Sequence, residues 1–139
     1  MIIRHREDML IFAKWFRDLL SLHFDIDKPI TINMHVRTLE NLEVDITISQ
    51  GQKIVAIELK ERDYIKAIKQ AQARRKLFDY MYVALDLPTC EILSILRTRT
   101  EAISEGIGFI STYDDCIVLK SYKRKTESSR YTKIMETIK

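Results

Sequence analysis

Two period-two stretches run almost end to end in this chain, and they constrain its fold more than any other feature. Ile30, Ile32, Met34 and Val36 alternate with Thr31, Asn33, His35 and Arg37. Leu42, Val44, Ile46 and Ile48 then alternate with Glu43, Asp45, Thr47 and Ser49. Strand side chains point to opposite faces in turn, so this spacing is that of half-buried strands. Gln50-Gly51 supplies a turn, and Lys53 to Lys60 reads as a third strand.

The flanking segments read as helices and shorter strands. Glu7 to His23 is amphipathic, with Met9, Phe12, Phe16, Leu19 and Leu20 on one stripe. Asp63 is placed to cap a helix reaching about Asp79, packed through Ile65, Ile68, Ala71 and Phe78. Tyr80 to Leu85 suits a buried strand, and Pro88-Thr89 opens a helix from about Cys90 to Ser104 that Gly106 can end. Gly108 to Thr112 and Ile117 to Lys123 read as strands joined by a turn at Asp114-Asp115. The order of elements predicts one α/β domain over residues 1–139, a mixed central sheet flanked by helices. Residues 124–139 read as a weakly helical tail that frays.

Composition narrows the class. At 139 residues, 46% hydrophobic and with only 3 Gly and 2 Pro, the chain is neither a disordered tail nor a collagen-like or linker protein. A domain of this length buries about two-thirds of its unfolded surface. Cys90 and Cys116 are too few for a disulfide framework and lack metal-ligand spacing. Charges interrupt the N-terminal stretch from Arg4 onward, unlike a signal peptide, and no run approaches the ~18 apolar residues of a membrane span. The expectation is an intracellular, cytoplasmic protein with no membrane partner. Net charge is only +3, but seven Lys or Arg lie between Lys60 and Lys76 against two acids, and Lys120, Lys123, Arg124 and Lys125 form a second basic cluster. Such clusters either contact phosphates or are ordinary solvated faces.

The chemistry concentrates on the hairpin. With Gln50 and Gly51 as a two-residue turn, Ser49 faces Gln52, Asp45 faces Ala56 and Glu43 faces Glu58. Glu43, Asp45, Ala56, Glu58 and Lys60 then share one face, while Val44, Ile46, Val55, Ile57 and Leu59 take the other. Asp45 and Glu58 become diagonal neighbours with Cα atoms ~7–8 Å apart, close enough to reach one cation, and the small Ala56 leaves room above it. Acidic groups gathered there repel one another unless something positive, Lys60 or Mg²⁺, lies between them. A solvated face without function remains the alternative.

These residues resemble the PD-(D/E)xK nuclease superfamily, the restriction-endonuclease-like fold with its αβββαβ core. The resemblance rests on Asp45, on Glu58-Leu59-Lys60 at the end of the next strand, and on a following helix carrying Gln70. It extends through Tyr82-Val83-Ala84-Leu85 and Ile107-Gly108-Phe109-Ile110, covering about Thr38 to Tyr122. Val44 stands where many members carry Pro, and the Gly-Ser loop of archaeal Holliday junction resolvases is absent, so a resolvase is one branch among several small nucleases. The resemblance implies that Asp45, Glu58 and the Leu59 carbonyl hold Mg²⁺, with Mn²⁺ able to substitute. It implies that Lys60 orients or activates water and Gln70 assists from the helix. Glu7, with Asp8 second, would supply a further acid. Lys66, Lys69, Arg74 and Arg75, with Lys76, are expected to clamp nucleic-acid backbone, and Lys123 and Arg124 to extend that contact.

Other candidates read as structural. His5, His23 and His35 are scattered, and His35 reads as a surface residue with substrate contact as its alternative. Trp15 and Phe16 read as core or interface, and Tyr64 as a packing residue that is placed to stack on a base. The function expected is a Mg²⁺-dependent DNA endonuclease recognising DNA structure, with a homodimer able to cut both strands. The alternatives are a non-cleaving DNA-binding or assembly subunit of the same fold, and an interaction protein unrelated to nucleic acid.

Overall fold

The turn at Gly51 sets the register on which everything else is built. In the computed structural model, which describes residues 12–37 and 43–123, Gly51 takes a φ of +60° and the turn residues are Gly51 and Gln52. Glycine enters this left-handed region without the Cβ penalty, which places it at the first turn position. Strand β2 (Glu43–Gln50) therefore pairs with β3 (Lys53–Lys60) through Gln50↔Lys53, Ser49↔Ile54 and Thr47↔Ala56. That corrects the expected pairing by two residues. The β2–β3 pairing stops at Ile46↔Ile57, one residue short of Asp45 and Glu58, which the expected register makes diagonal neighbours.

The sheet has six strands in chain order, adding β1 (Thr31–Arg37), β4 (Tyr80–Leu85), β5 (Ile107–Ser111) and β6 (Cys116–Leu119). The β3–β4 and β4–β5 pairs are parallel and the rest antiparallel, so the sheet is mixed and the domain α/β. Helix α2 (Tyr64–Arg74) crosses between β3 and β4, followed by a 3₁₀ turn at Arg75–Leu77. The β4–β5 crossover carries α3 (Thr89–Thr98) and α4 (Thr100–Ser104). The single helix expected from Cys90 to Ser104 is thus two, broken at Arg99, whose backbone leaves helical geometry at φ −125°, ψ 51°.

Each sheet face carries its own core. Helix α1 (Lys14–His23) lays Trp15, Phe16 and Leu19 against Ile46, Ile48, Val55, Ile57, Leu59 and Tyr82. On the opposite face α2 and α3 bring Ala67, Ile68, Ala71, Ile92 and Leu96 onto Ile54, Ala56, Met81, Val83 and Phe109. Ala56 is fully buried there, so it admits α2 close to the sheet instead of leaving room above a site. Phe12 and Ile65, expected on packed stripes, are exposed because the one precedes α1 and the other faces away from the sheet on α2. The N-terminal part of the expected first helix, with Glu7 and Asp8, lies outside the described residues, as do Arg124 and the tail.

Alternation in β2 breaks at a place that matters. Val44 joins the layer under α2, while Ile46 and Ile48 belong to the layer under α1. Between them, the β1–β2 ladder skips the position where His35 would pair with Asp45, and His35 has a φ of +53°. The expected placement of Val44 beside Ile46 is corrected by this irregularity.

Candidate functional site

Glu58 is the third residue from the end of β3 and points beneath α2, where it is 3% exposed. Its Oε1 is buried and accepts no hydrogen bond. Helix α2 delivers Arg74 to it because residues 67, 71 and 74 lie on the helix side turned to the sheet. Arg74 Nε stands 3.8 Å from Glu58 Oε1 and donates to the Glu43 carbonyl at 2.8 Å, while Nη1 donates to the Gln70 carbonyl at 2.9 Å. One guanidinium thus ties the start of β2, the end of β3 and α2 together. Burial pushes the Glu58 carboxyl up to about 7; Asp45 and, less strongly, Glu43 add to that rise, and Arg74 and Lys60 oppose it. Two of the residues read from sequence, Asp45 and Lys60, therefore act electrostatically on the third.

Asp45 is half-buried at the irregular point of β2, where one carboxylate oxygen accepts the Leu59 N–H at 2.7 Å. Leu59 thus enters the site through its N–H. Ligand atoms of Asp45, Glu43 and His35 all lie within 4.8 Å of one another. Arg37 Nη2 approaches Glu43 at 3.4 Å, and His35 Nδ1 does so at 3.6 Å. Gln70 stands one helical turn before Arg74, and its Oε1 is a second buried acceptor without a donor. A buried acceptor left without a partner costs free energy, and a cation or a proton removes that cost. The Glu58 carboxylate with its orphaned oxygen, and the Asp45 and Glu43 carboxylates gathered at the break in β2, are the oxygen ligands that a hard divalent ion such as Mg²⁺ or Mn²⁺ takes.

The basic residues divide by burial. Lys66, Lys69 and Lys76 are exposed on or just after α2, and Lys123 is exposed beyond β6. Arg74 is committed to Glu58 and to main-chain carbonyls. Arg75 is 1% exposed, and its guanidinium donates to the carbonyls of Glu105, Phe78 and Tyr122. Both arginines hold the fold together, which corrects their expected role on phosphates: neighbouring main-chain carbonyls took the donors that a backbone contact would need. Sequence reasoning missed Arg74 as the partner of Glu58, although its four-residue spacing from Gln70 was a usable signal. It also missed Glu43 and His35 beside Asp45, a grouping that depends on the β1–β2 register.

Comparison with known proteins adds the fold alone. No family model matches the chain, and no curated protein matches it. A protein of unknown function from Silicibacter pomeroyi, SPO1766, is similar in structure with a TM-score of 0.58 and 18% identity. The match covers 91% of this chain and 77% of that one. Among the described residues no helix is long and apolar enough to cross a membrane.

Proposed function

We propose that this chain is a divalent-metal-dependent nuclease of the PD-(D/E)xK kind, hydrolysing phosphodiester bonds in DNA. The observation that carries the reading is Glu58: a buried carboxylate with an oxygen that accepts no hydrogen bond, electrostatically linked to Asp45 and Lys60 near the end of a core strand. Asp45 and Glu58 would hold Mg²⁺ or Mn²⁺, which supplies Lewis acidity and an acidified water when bound. The Lys60 ammonium stabilises charge developing on the phosphate oxygens. Arg74 positions Glu58, and the Gln70 amide stands ready to accept a hydrogen bond from the attacking water. The exposed Lys66 and Lys69 hold the substrate backbone at salt-sensitive cost. A homodimer would bring two such sites to opposite strands.

The test is cleavage of labelled supercoiled plasmid, linear duplex, single strand, flap and four-way junction, with Mg²⁺, Mn²⁺ or EDTA. Lys60→Ala and Glu58→Gln are run beside wild type. Cutting that requires the metal and is lost in both variants is the expected result. Salt-sensitive binding without cutting by any of the three proteins would replace the nuclease with a DNA-binding subunit.

A further inference from the structure

A cleft of about 470 Å³ opens where the parallel strands β3 and β4 end, between the N-terminal ends of α2 and α3. That is where open α/β sheets commonly take their ligands, and the volume is within the ~300–1,000 Å³ usual for small-molecule sites. Its walls differ in character. Tyr64, Leu87 and Ile95 supply an apolar side, and Tyr64 and Ile95 are themselves packed on the core under α2 and α3. Arg62, Glu91 and Ser94 supply the polar side. The Arg99 guanidinium lies over the Tyr64 ring, 6.0 Å from its centroid.

We propose that this cleft receives an unpaired nucleobase of the substrate, an inference that rests on the nuclease reading above and narrows its substrate to nucleic acid with at least one unstacked base. Three features select a base over an aliphatic ligand. A tyrosine ring fixed by core packing is a stacking platform that every base can use. Glu91 and Ser94 offer acceptors to exocyclic amino groups, which favours cytosine, adenine or guanine over thymine. Arg62, two residues past Lys60 and hence within ~7 Å along the chain, meets the phosphate of a base seated beside the proposed site. A base paired inside a duplex cannot enter such a cleft, so single strands, flaps and mismatched sites bind in preference to perfect duplex.

The test is anisotropy titration in EDTA of the full chain with two labelled single strands of equal length and charge, one carrying bases throughout and one with abasic positions at its centre. Wild type is expected to bind the first about tenfold more tightly. Tyr64→Ala and Ser94→Trp, the latter filling the cleft from an exposed helix position, lose that difference, and Tyr64→Phe keeps it. Equal affinity for both strands, or a difference that survives Ser94→Trp, overturns the proposal. The nuclease reading is scored separately. Base discrimination in Lys60→Ala equal to wild type, with no cutting of any substrate by wild type, leaves the cleft standing and removes the nuclease. Metal-dependent cutting without base discrimination does the reverse.

Discussion

Ionising Glu58 within the folded protein is unfavourable, because its carboxylate leaves water for a site where one oxygen has no donor. Its carboxyl is raised to about 7 from an ordinary 4.5, so its effect on stability has a definite sign. Below pH 4.5 the group is neutral in both folded and unfolded chains and costs nothing. As pH rises through 7 the unfolded chain has already ionised, and the fold loses about 3 kcal/mol. Glu58→Gln cannot ionise. Urea denaturation in EDTA should therefore show wild type losing about 3 kcal/mol relative to Glu58→Gln between pH 4 and pH 8. Equal pH dependence in the two proteins would mean that Glu58 is hydrated in solution. At this scale the sequence showed the carboxylates and Lys60 but not Arg74. Opposite charges distant in sequence meet only when a helix docks, and residue spacing within one element does not report that docking.

Among the elements, the short strand β5 leaves no room for a side chain at Gly108. A Cβ on Gly108 would lie 2.5 Å from Tyr82 Cε2, 2.6 Å from the Ser121 nitrogen and 2.7 Å from the Leu119 oxygen. Two of those three are main-chain atoms that cannot rotate away, so Gly108→Ala should cost about 3 kcal/mol of stability. Gly51 has open space around it and only its positive φ to defend, so Gly51→Ala should cost about 1 kcal/mol. Chemical denaturation of both variants checks the ranking, and a larger loss at Gly51 would contradict the packing seen at β5. Local signals found most elements: Asp63 caps α2 by accepting the Lys66 N–H, as its position predicts. The start of α1 had no such signal. Its Lys14 and Trp15 N–H groups are accepted by the carboxylate of Asp115, about a hundred residues away in the turn before β6.

Across the whole molecule, the two sheet faces respond to pH in opposite directions. His23 ends α1 and is buried against Tyr80 and Tyr82, with its Nε2 hydrogen-bonded to the Tyr82 hydroxyl. Burial lowers its pKa to about 4, helped by the charges of Lys120 and Lys53. Folding thus keeps the ring neutral, and stability that is complete above pH 6.5 is lost as pH falls through 4, by about 3 kcal/mol. Glu58 becomes less costly over nearly the same interval. Wild type should therefore show a nearly flat melting temperature between pH 4.5 and 6.5, Glu58→Gln a falling one on acidification, and His23→Asn a rising one. A His23→Asn profile as flat as wild type would remove the histidine from this balance.

What the sequence determined by itself was local. Period-two alternation, a turn glycine and a capping aspartate set where strands and helices lie, because each acts within one or two turns of chain. Those same signals put Asp45 and Glu58 on a shared strand pair and place Lys60 beside them. Tertiary structure alone decided which charges are buried and with whom. Arg74 faces Glu58, Arg75 serves carbonyls from three segments, and His35 and Glu43 gather at Asp45 where the β1–β2 ladder breaks. Those outcomes depend on how layers stack, and burial, which gives each charge its energy, does not exist until they do.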